Sequence, residues 1–438
     1  MKKLLAVVKL TFIFLLTLMM IISCASTKKR GAKKDNFNLT NIYNPGSTPL
    51  HPEFMVYHSF DSTSLLLSKV FPTELLFNQA NPQRKTQASL QISYQMVDIS
   101  TNLNNKQICD SASHNFNIDI SKLQKRFFAF IPIKAKEGRK YLLTVTTNDL
   151  LRKTMQRTFL IVDKTNEFNS QNFEVISRYD NFPIFSSYTD SNEVFSIHYR
   201  QGNSKNAIFI KYYKSEQPVP PPAFFPTPVG TRFDKPDSIW KYPFSDSIAF
   251  KLPYKGMYFF QMDTAQNKGL TLFNFGSAYP RVLRANQMIG PLQYLTNSSE
   301  FEAIKSISNP KTAVDNFWIK TSKNIDVSRE LIRVFYNRVF FSNYYFTADR
   351  EGWKTDRGMI YIIYGLPNNL VKKPDEEIWS YYDKSNPQVI TFSFKKMENP
   401  FSNNFYVLQR GENLTTHWRQ AVDSWRHGKV YNLGEEQH

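Results

Sequence analysis

Cysteine, histidine and clustered carboxylates are the residues best able to do chemistry, and here they are sparse and poorly spaced for it. The seven histidines, His51, His58, His114, His198, His417, His427 and His438, form no His-Glu-x-x-His or two-histidine metal spacing. Asp375, Glu376 and Glu377 are adjacent carboxylates. Consecutive residues on a strand or loop point apart, which is poor geometry for an acid and a base sharing one substrate. A solvated charge run is the expected state. No Gly-x-Ser-x-Gly elbow, phosphate-binding glycine loop or Gly-x-Gly-x-x-Gly fingerprint occurs. Catalytic residues, cofactor and metal are all expected to be none. Cys109 has no histidine patterned near it and reads as a buried or half-buried small hydrophobe.

Cys24 is different, because its context specifies a modification. Lys2 and Lys3 precede the apolar run Leu10 to Ile22, and Ser23-Cys24 leads into the basic tract Lys28-Lys29-Arg30-Gly31-Ala32-Lys33-Lys34. A charged n-region, an apolar core short for a bilayer span and a cysteine behind a small residue read as a lipoprotein export signal. The mature chain is expected to begin at Cys24, its thiol carrying the lipid. The alternatives are an ordinary cleaved secretory signal or a single transmembrane anchor, with Cys24 incidental.

Removing residues 1–23 leaves 415 residues (438 − 23), enough for two to four domains. With 37 Phe and 23 Tyr, the composition fits a folded, strand-rich protein. The net charge of +18 loses Lys2, Lys3 and Lys9 with the signal and five more cations to the 28–34 tract. About +10 remains (18 − 3 − 5), spread without a dense cluster, so nucleic acid is not an expected partner. After lipidation only Cys109 is left, which excludes an intrachain disulfide.

The elements that must position any site are mainly β. Residues 24–52 read as a basic polar tether. In 53–165, alternating runs such as Leu90, Ile92, Tyr94 and Met96, then Phe116, Ile118 and Ile120, then Tyr141, Leu143 and Val145, with further runs at 54–60, 65–70, 74–77, 127–133 and 158–162, predict seven or eight strands of an immunoglobulin-like sandwich. A second β-sandwich is expected over 170–278, with strands at 194–199, 207–213, 247–252, 257–262 and 270–275. A proline-rich loop, Pro218 to Pro228, interrupts it. That loop reads as a stiff crossover whose Phe224 and Phe225 cover their own domain, the alternative being a partner-docking segment. From Gly290 the period becomes helical. Asn297 with Glu300, and Asn309 with Pro310, mark helix starts. Two to four helices are expected between Pro291 and Tyr345. A meander then follows, with strands at 359–364, 377–382, 389–394 and 405–409. A final amphipathic helix carries Trp418, Val422 and Trp425 and stops at Gly428.

At the junction of helices and meander stands Arg350-Glu351-Gly352-Trp353-Lys354-Thr355-Asp356-Arg357-Gly358, followed by Tyr364-Gly365-Leu366-Pro367 and Glu377-Ile378-Trp379-Ser380-Tyr381. This segment resembles the GWxTD domain, over roughly 285–432. The β-domains and lipoprotein start also resemble members from Bacteroidetes-type bacteria. The resemblance implies an envelope protein and no particular reaction. From the residues themselves, Gly352 suits a positive-φ turn, Trp353 an interface between helices and meander, and Thr355 and Asp356 backbone amides. Arg357 can fork onto Asp356, Glu377 or a carbonyl. The favoured reading is a structural joint. The alternative is a recognition pocket, with Trp353 and Trp379 lining a cleft for a glycan or peptidoglycan.

The fold class expected is thus mainly β with an α+β C-terminal domain. The function expected is a non-enzymatic structural or docking component of a cell-envelope assembly, the alternative being a glycan- or peptidoglycan-binding module, or a degenerate enzyme, using a cleft around Trp353 and Trp379. Cys24 would anchor it to the outer membrane, on the periplasmic face, because the tether lacks the acidic run that resembles a surface-export signal in this bacterial group. Envelope proteins are the expected partners, with a glycan as the alternative ligand.

Overall fold

Strict alternation builds the first β-module. The computed structural model describes residues 38–78, 85–100, 107–201, 207–214, 217–226, 235–383, 386–431 and 433, with backbone alone at 383 and 386–388. The signal segment, Cys24 and the tether as far as residue 37 lie outside the described residues, as do Pro228 and His438. Strands β1 (Glu53–Phe60), β2 (Thr63–Val70), β3 (Gln87–Asp98), β4 (Ile108–Asp119), β5 (Phe127–Lys134), β6 (Lys140–Asp149) and β7 (Thr154–Asp163) form two antiparallel sheets, ordered β1-β2-β5 and β4-β3-β6-β7. Leu90, Ile92, Tyr94 and Met96 of β3 and Tyr141, Leu143 and Val145 of β6 point into one core with Val56, Leu66, Ile131 and Ile133. This is the expected seven-stranded sandwich. Its fourth strand pairs with the third, whereas the constant-type immunoglobulin arrangement places it on the other sheet.

Three local expectations fail here. Ile120 lies past the end of β4 in a short 3₁₀ turn and is exposed. Residues 74–77 form a turn and a single bridge, Phe77 to Ala88, in place of a strand. Cys109 is exposed, near the start of the edge strand β4, with Sγ 3.2 Å from the Met96 carbonyl. Edge placement leaves it no sheet neighbour on one side, so the buried hydrophobe reading is wrong.

The second β-module comprises β8 (Phe173–Ser177), β9 (Phe195–Tyr199), β10 (Ala207–Tyr213), β11 (Ser238–Pro243), β12 (Gly256–Gln261) and β13 (Leu270–Asn274). The β8-β9 pair and the β11-β10-β12-β13 sheet share an aromatic core that includes Phe173, Phe195, Tyr212 and Phe260. Residues 247–252 are not a strand, and only Phe250 bridges to Phe195. Met257, Phe259, Phe273 and Tyr213 form a separate cluster, where Tyr213 and Phe259 meet Phe401 of the C-terminal domain at ring distances of 5.5 and 5.0 Å.

The C-terminal domain combines α1 (Ala285–Ile289), α2 (Ser298–Lys305), α3 (Pro310–Ser322), α4 (Ile325–Phe346), α5 (Asp356–Tyr364) and α6 (Thr415–Arg426) with the meander β14 (Asn369–Lys372), β15 (Glu376–Asp383), β16 (Asn386–Lys396) and β17 (Tyr406–Leu408). The predicted caps form as expected. Asn297 and Glu300 make a capping box on α2, and Asn309 caps α3 ahead of Pro310. The final helix buries Trp418 and Trp425, with Gly428 just beyond it at φ +76°.

The segment Met359 to Tyr364 is the main correction, being helix where a strand is expected. Every residue of α5 is buried. A segment covered on all sides has no apolar face to display, so periodicity cannot distinguish helix from strand.

Two segments read as linkers are built into this domain's core. Tyr43, from the supposed tether, is buried there, and Leu50 lies in the core of the first module. In the proline-rich crossover, Ala223, Val219 and Phe224 pack on the C-terminal domain instead of covering their own module. Phe225 is exposed. Among the described residues, no helix is long and apolar enough to cross a membrane.

Candidate functional site

The signature residues follow the C-terminus of α4, where the chain turns through the 3₁₀ segment Gly352–Lys354 into α5. Backbone crowding explains both glycines. A Cβ on Gly352 would lie 2.0 Å from the Ser342 carbonyl oxygen, and one on Gly358 would lie 1.9 Å from the Gly352 carbonyl oxygen. Gly352 is absent from the positive-φ glycines of the described chain. Its role is close approach of the 3₁₀ segment to α4, not the positive-φ turn expected from the sequence.

The next residues make the corner polar and closed. The Trp353 amide donates to Asn343 Oδ1 at 3.0 Å, its carbonyl accepts from the Tyr294 hydroxyl at 2.7 Å, and its half-buried ring meets Tyr294 edge-on. Thr355 caps α5: its Oγ1 accepts from the Gly358 amide at 3.0 Å and donates to the Gly352 carbonyl at 2.7 Å. Asp356, in the first turn of the helix, accepts from the Leu408 amide at 2.7 Å and takes a two-pronged pair from Arg410, at 3.0 and 2.5 Å. Arg410 also donates to the Pro221 carbonyl at 3.2 Å, so the same carboxylate indirectly holds the proline-rich crossover.

Arg357 points the other way, into a second cluster. Its side chain is 1% exposed and that of Glu377 0%. Arg357 Nη1 lies 3.1 Å from Glu377 Oε1, while Nη2 donates to the carbonyl and side-chain oxygens of Asn404 at 2.8 and 2.5 Å. The guanidinium lies 3.9 Å from the centroid of the Tyr406 ring. Glu377 also takes Lys372 Nζ at 2.7 Å, the Tyr43 hydroxyl at 2.9 Å and the Trp379 indole N–H at 3.4 Å. Burial opposes ionisation of Glu377, but Arg357 and Lys372 outweigh it and hold the carboxyl down at about 2. The Tyr43 hydroxyl is driven well above its usual range, by burial first and then by the Glu377 charge.

These contacts assign the predicted residues to two adjoining devices. Gly352, Trp353, Thr355 and Asp356 make the α4–α5 corner, and Arg357 and Trp379 belong to the Glu377 cluster. Trp379 has no exposed surface and packs on Tyr43, Phe346 and Phe394, so it cannot line a cleft with Trp353. The acidic run is also corrected. Glu377 is wholly buried, because its strand turns every second residue inward, while Glu376 faces Lys373 and Ser393 at 2.7 and 2.6 Å. Sequence reasoning misses Tyr43, Lys372, Asn404 and Arg410, whose only local signal is a phenol ring, a charge or an amide.

The GWxTD domain family matches residues 256–427, a stretch that contains this corner, the Glu377 cluster apart from Tyr43, and β12 and β13 of the second module. The chain carries a GWxTD domain. Among curated proteins no relative matches the chain. Solved structures with partial likeness include Bacteroides uniformis beta-glucuronidase 2 covalently bound to cyclophellitol-6-carboxylate aziridine, at 12% identity over 27% of this chain, with TM-score 0.17. Another is Bacteroides uniformis beta-glucuronidase, at 11% identity over 33% of this chain, also with TM-score 0.17. The chain spans 14% of the length of each, and likeness of this degree bears on neither the fold nor the activity of the GWxTD domain.

Away from the GWxTD domain, a polar cleft of about 400 Å³ opens along the seam between the two β-modules. Arg200 enters it with Glu137 Oε1 at 2.5 Å and Asp61 in contact. The buried Lys164 ammonium caps the carbonyls of Phe60, Asp61 and Thr63 at 2.5, 3.0 and 3.3 Å. Burial, and then the neighbouring Arg200, lower its pKa to about 8. Burial lowers that of His58, hydrogen-bonded to Ser64 and to the Asp163 carbonyl, to about 4. Every one of these groups has an internal partner, so the cleft reads as a hydrated seam. Among the described residues, no cluster of His, Cys, Asp and Glu has the makings of a metal site.

Proposed function

We propose that the chain is a non-enzymatic docking component of a cell-envelope assembly, held through a lipid on Cys24 at the periplasmic face of the outer membrane, with its GWxTD domain serving as the joint between the β-modules and the anchor segment. The observation that carries the non-enzymatic part is the state of the signature side chains. Asp356, Arg357 and Glu377 are buried and each is hydrogen-bonded to protein partners, which leaves none of the three facing outward to a substrate. A site of this kind supplies rigidity and specific positioning. Location rests on the sequence around Cys24. Docking is supported by the two β-modules, which add folded surface without a reaction centre among the described residues.

Affinity purification of the lipidated protein after mild crosslinking tests this reading. A stoichiometric envelope protein partner is expected. Saturable sugar binding or turnover, with no stoichiometric partner, would overturn it. Cys24→Ser should move a folded chain from the membrane fraction to the soluble periplasm, and unchanged fractionation would remove Cys24 as the principal anchor.

A further inference from the structure

The segment leading out of the tether is fastened to the distant GWxTD domain, although the first β-module follows it directly in sequence. The Leu39 amide donates to the Leu370 carbonyl at 2.8 Å, on β14, the edge strand of the meander. One 3₁₀ turn later, Tyr43 inserts its ring among Phe346, Tyr345 and Trp379, at centroid distances of 4.9, 5.3 and 5.8 Å. Its hydroxyl reaches both Glu377 oxygens, at 2.9 and 3.1 Å, and accepts from Arg357 Nη1 at 3.3 Å. The Tyr361 hydroxyl donates to the Tyr43 carbonyl at 3.2 Å. An aromatic box closed at its far end by a buried ion pair is the chemistry that selects a tyrosine. It holds the ring by area, and it holds the buried hydroxyl between a carboxylate that accepts from it and a guanidinium that donates to it. Only after this insertion does the chain cross, through the exposed Gly46 and Ser47, to bury Leu50 in the first sandwich.

We propose that Arg357 and Glu377 of the GWxTD domain form a receptor site for the tyrosine-bearing segment Leu39–Tyr43, fastening the anchor end of the chain to this domain so that load applied at Cys24 reaches the β-modules through it. The load-bearing half of this proposal rests on the lipid-anchor reading. The receptor half does not. Opening the latch would free residues 39–47, as far as the Leu50 anchorage in the first module, and lengthen the path from the anchor to β1 by up to about 30 Å.

The test uses the full chain with residues 1–23 replaced by an affinity tag, so that no lipid is involved, and a site-specific protease sequence inserted between Gly46 and Ser47. After native cleavage, the tagged N-terminal fragment should stay on the body through extended washing. Tyr43→Ala should release it at least tenfold faster. Tyr43→Phe, which keeps the ring, and Glu377→Gln, which keeps the shape, should fall between. Thermal unfolding of each uncleaved variant shows that the body is still folded when the fragment leaves. Wild-type fragment that washes off as fast as the Tyr43→Ala fragment would overturn the receptor site. In a parallel arm with the lipidated chain, a body already soluble before cleavage refutes the lipid anchor and not the latch. A body released from membranes by cleavage alone refutes the latch.

Discussion

The Glu377 cluster and the seam at Arg200 pair the same kinds of charge to opposite ends. In the first, arginine and carboxylate are both within 1% of complete burial, and Lys372, Tyr43, Trp379 and Asn404 add further hydrogen bonds to the pair. In the second, Arg200 is 6% exposed, but its partners Glu137 and Asp61 are 53% and 86% exposed, and Arg200 and Glu137 line an open cleft of about 400 Å³. A dry pair is rigid and costly to break because the partner left behind is stranded, whereas water can replace either partner of a wet one. The comparison places specificity in the GWxTD domain and adjustability between the β-modules.

The largest expected effect is at the dry pair. Glu377→Ala should destabilise the soluble chain by about 3–5 kcal/mol, whereas Glu137→Ala should change it by less than about 1 kcal/mol, both read from urea unfolding of a chain lacking residues 1–23. Similar losses at the two sites would erase the contrast. Next comes Gly352→Ala, whose methyl group would press into the Ser342 carbonyl. A cost of about 3 kcal/mol is expected, and a neutral outcome would show that the 3₁₀ segment separates readily from α4. Acid should then undo the regions in sequence. His58 is neutral when folded and takes up a proton more readily when unfolded, so the seam loses stability as pH falls from 6.5 to about 4. Glu377, whose pKa is depressed in the folded chain, keeps its contribution above 4.5 and loses it only on the way down to about 2. Denaturant midpoints followed against pH should show the earlier step vanish in His58→Asn, and persistence of that step would assign it elsewhere. The smallest effect is on salt response: adding salt should loosen the exposed Asp61–Arg200 pair and leave the Arg357–Glu377 pair unchanged, as measured by the salt dependence of stability in Asp61→Asn and Glu377→Gln.

Much of the scaffold is legible because its signals are local. The sandwich strands alternate, Asn297 and Asn309 announce their helices, and Trp418, Val422 and Trp425 mark the face of the last one. Helix α5 escapes because complete burial erases its amphipathic period, and its Ile-rich run favours a strand by propensity. Individual contacts of the signature are legible, down to Thr355 and Asp356 holding backbone amides and Arg357 choosing Glu377 and a carbonyl. What completes the site is not legible. Tyr43 lies 314 residues from Arg357 and Asn404 lies 47 away, and no spacing rule connects them. A polar tether containing one tyrosine looks the same whether that tyrosine is solvated or serves as the keystone of a core.

Hydrogen exchange resolved by mass spectrometry over residues 343–364 and 376–382 tests most directly whether the GWxTD signature is a closed joint. Amides of α5 and β15 should exchange only with global unfolding, and an added mixture of cell-wall glycan fragments should leave their rates unchanged. Rapid exchange at the corner, slowed by a glycan, would contradict the account and restore the signature as a binding site.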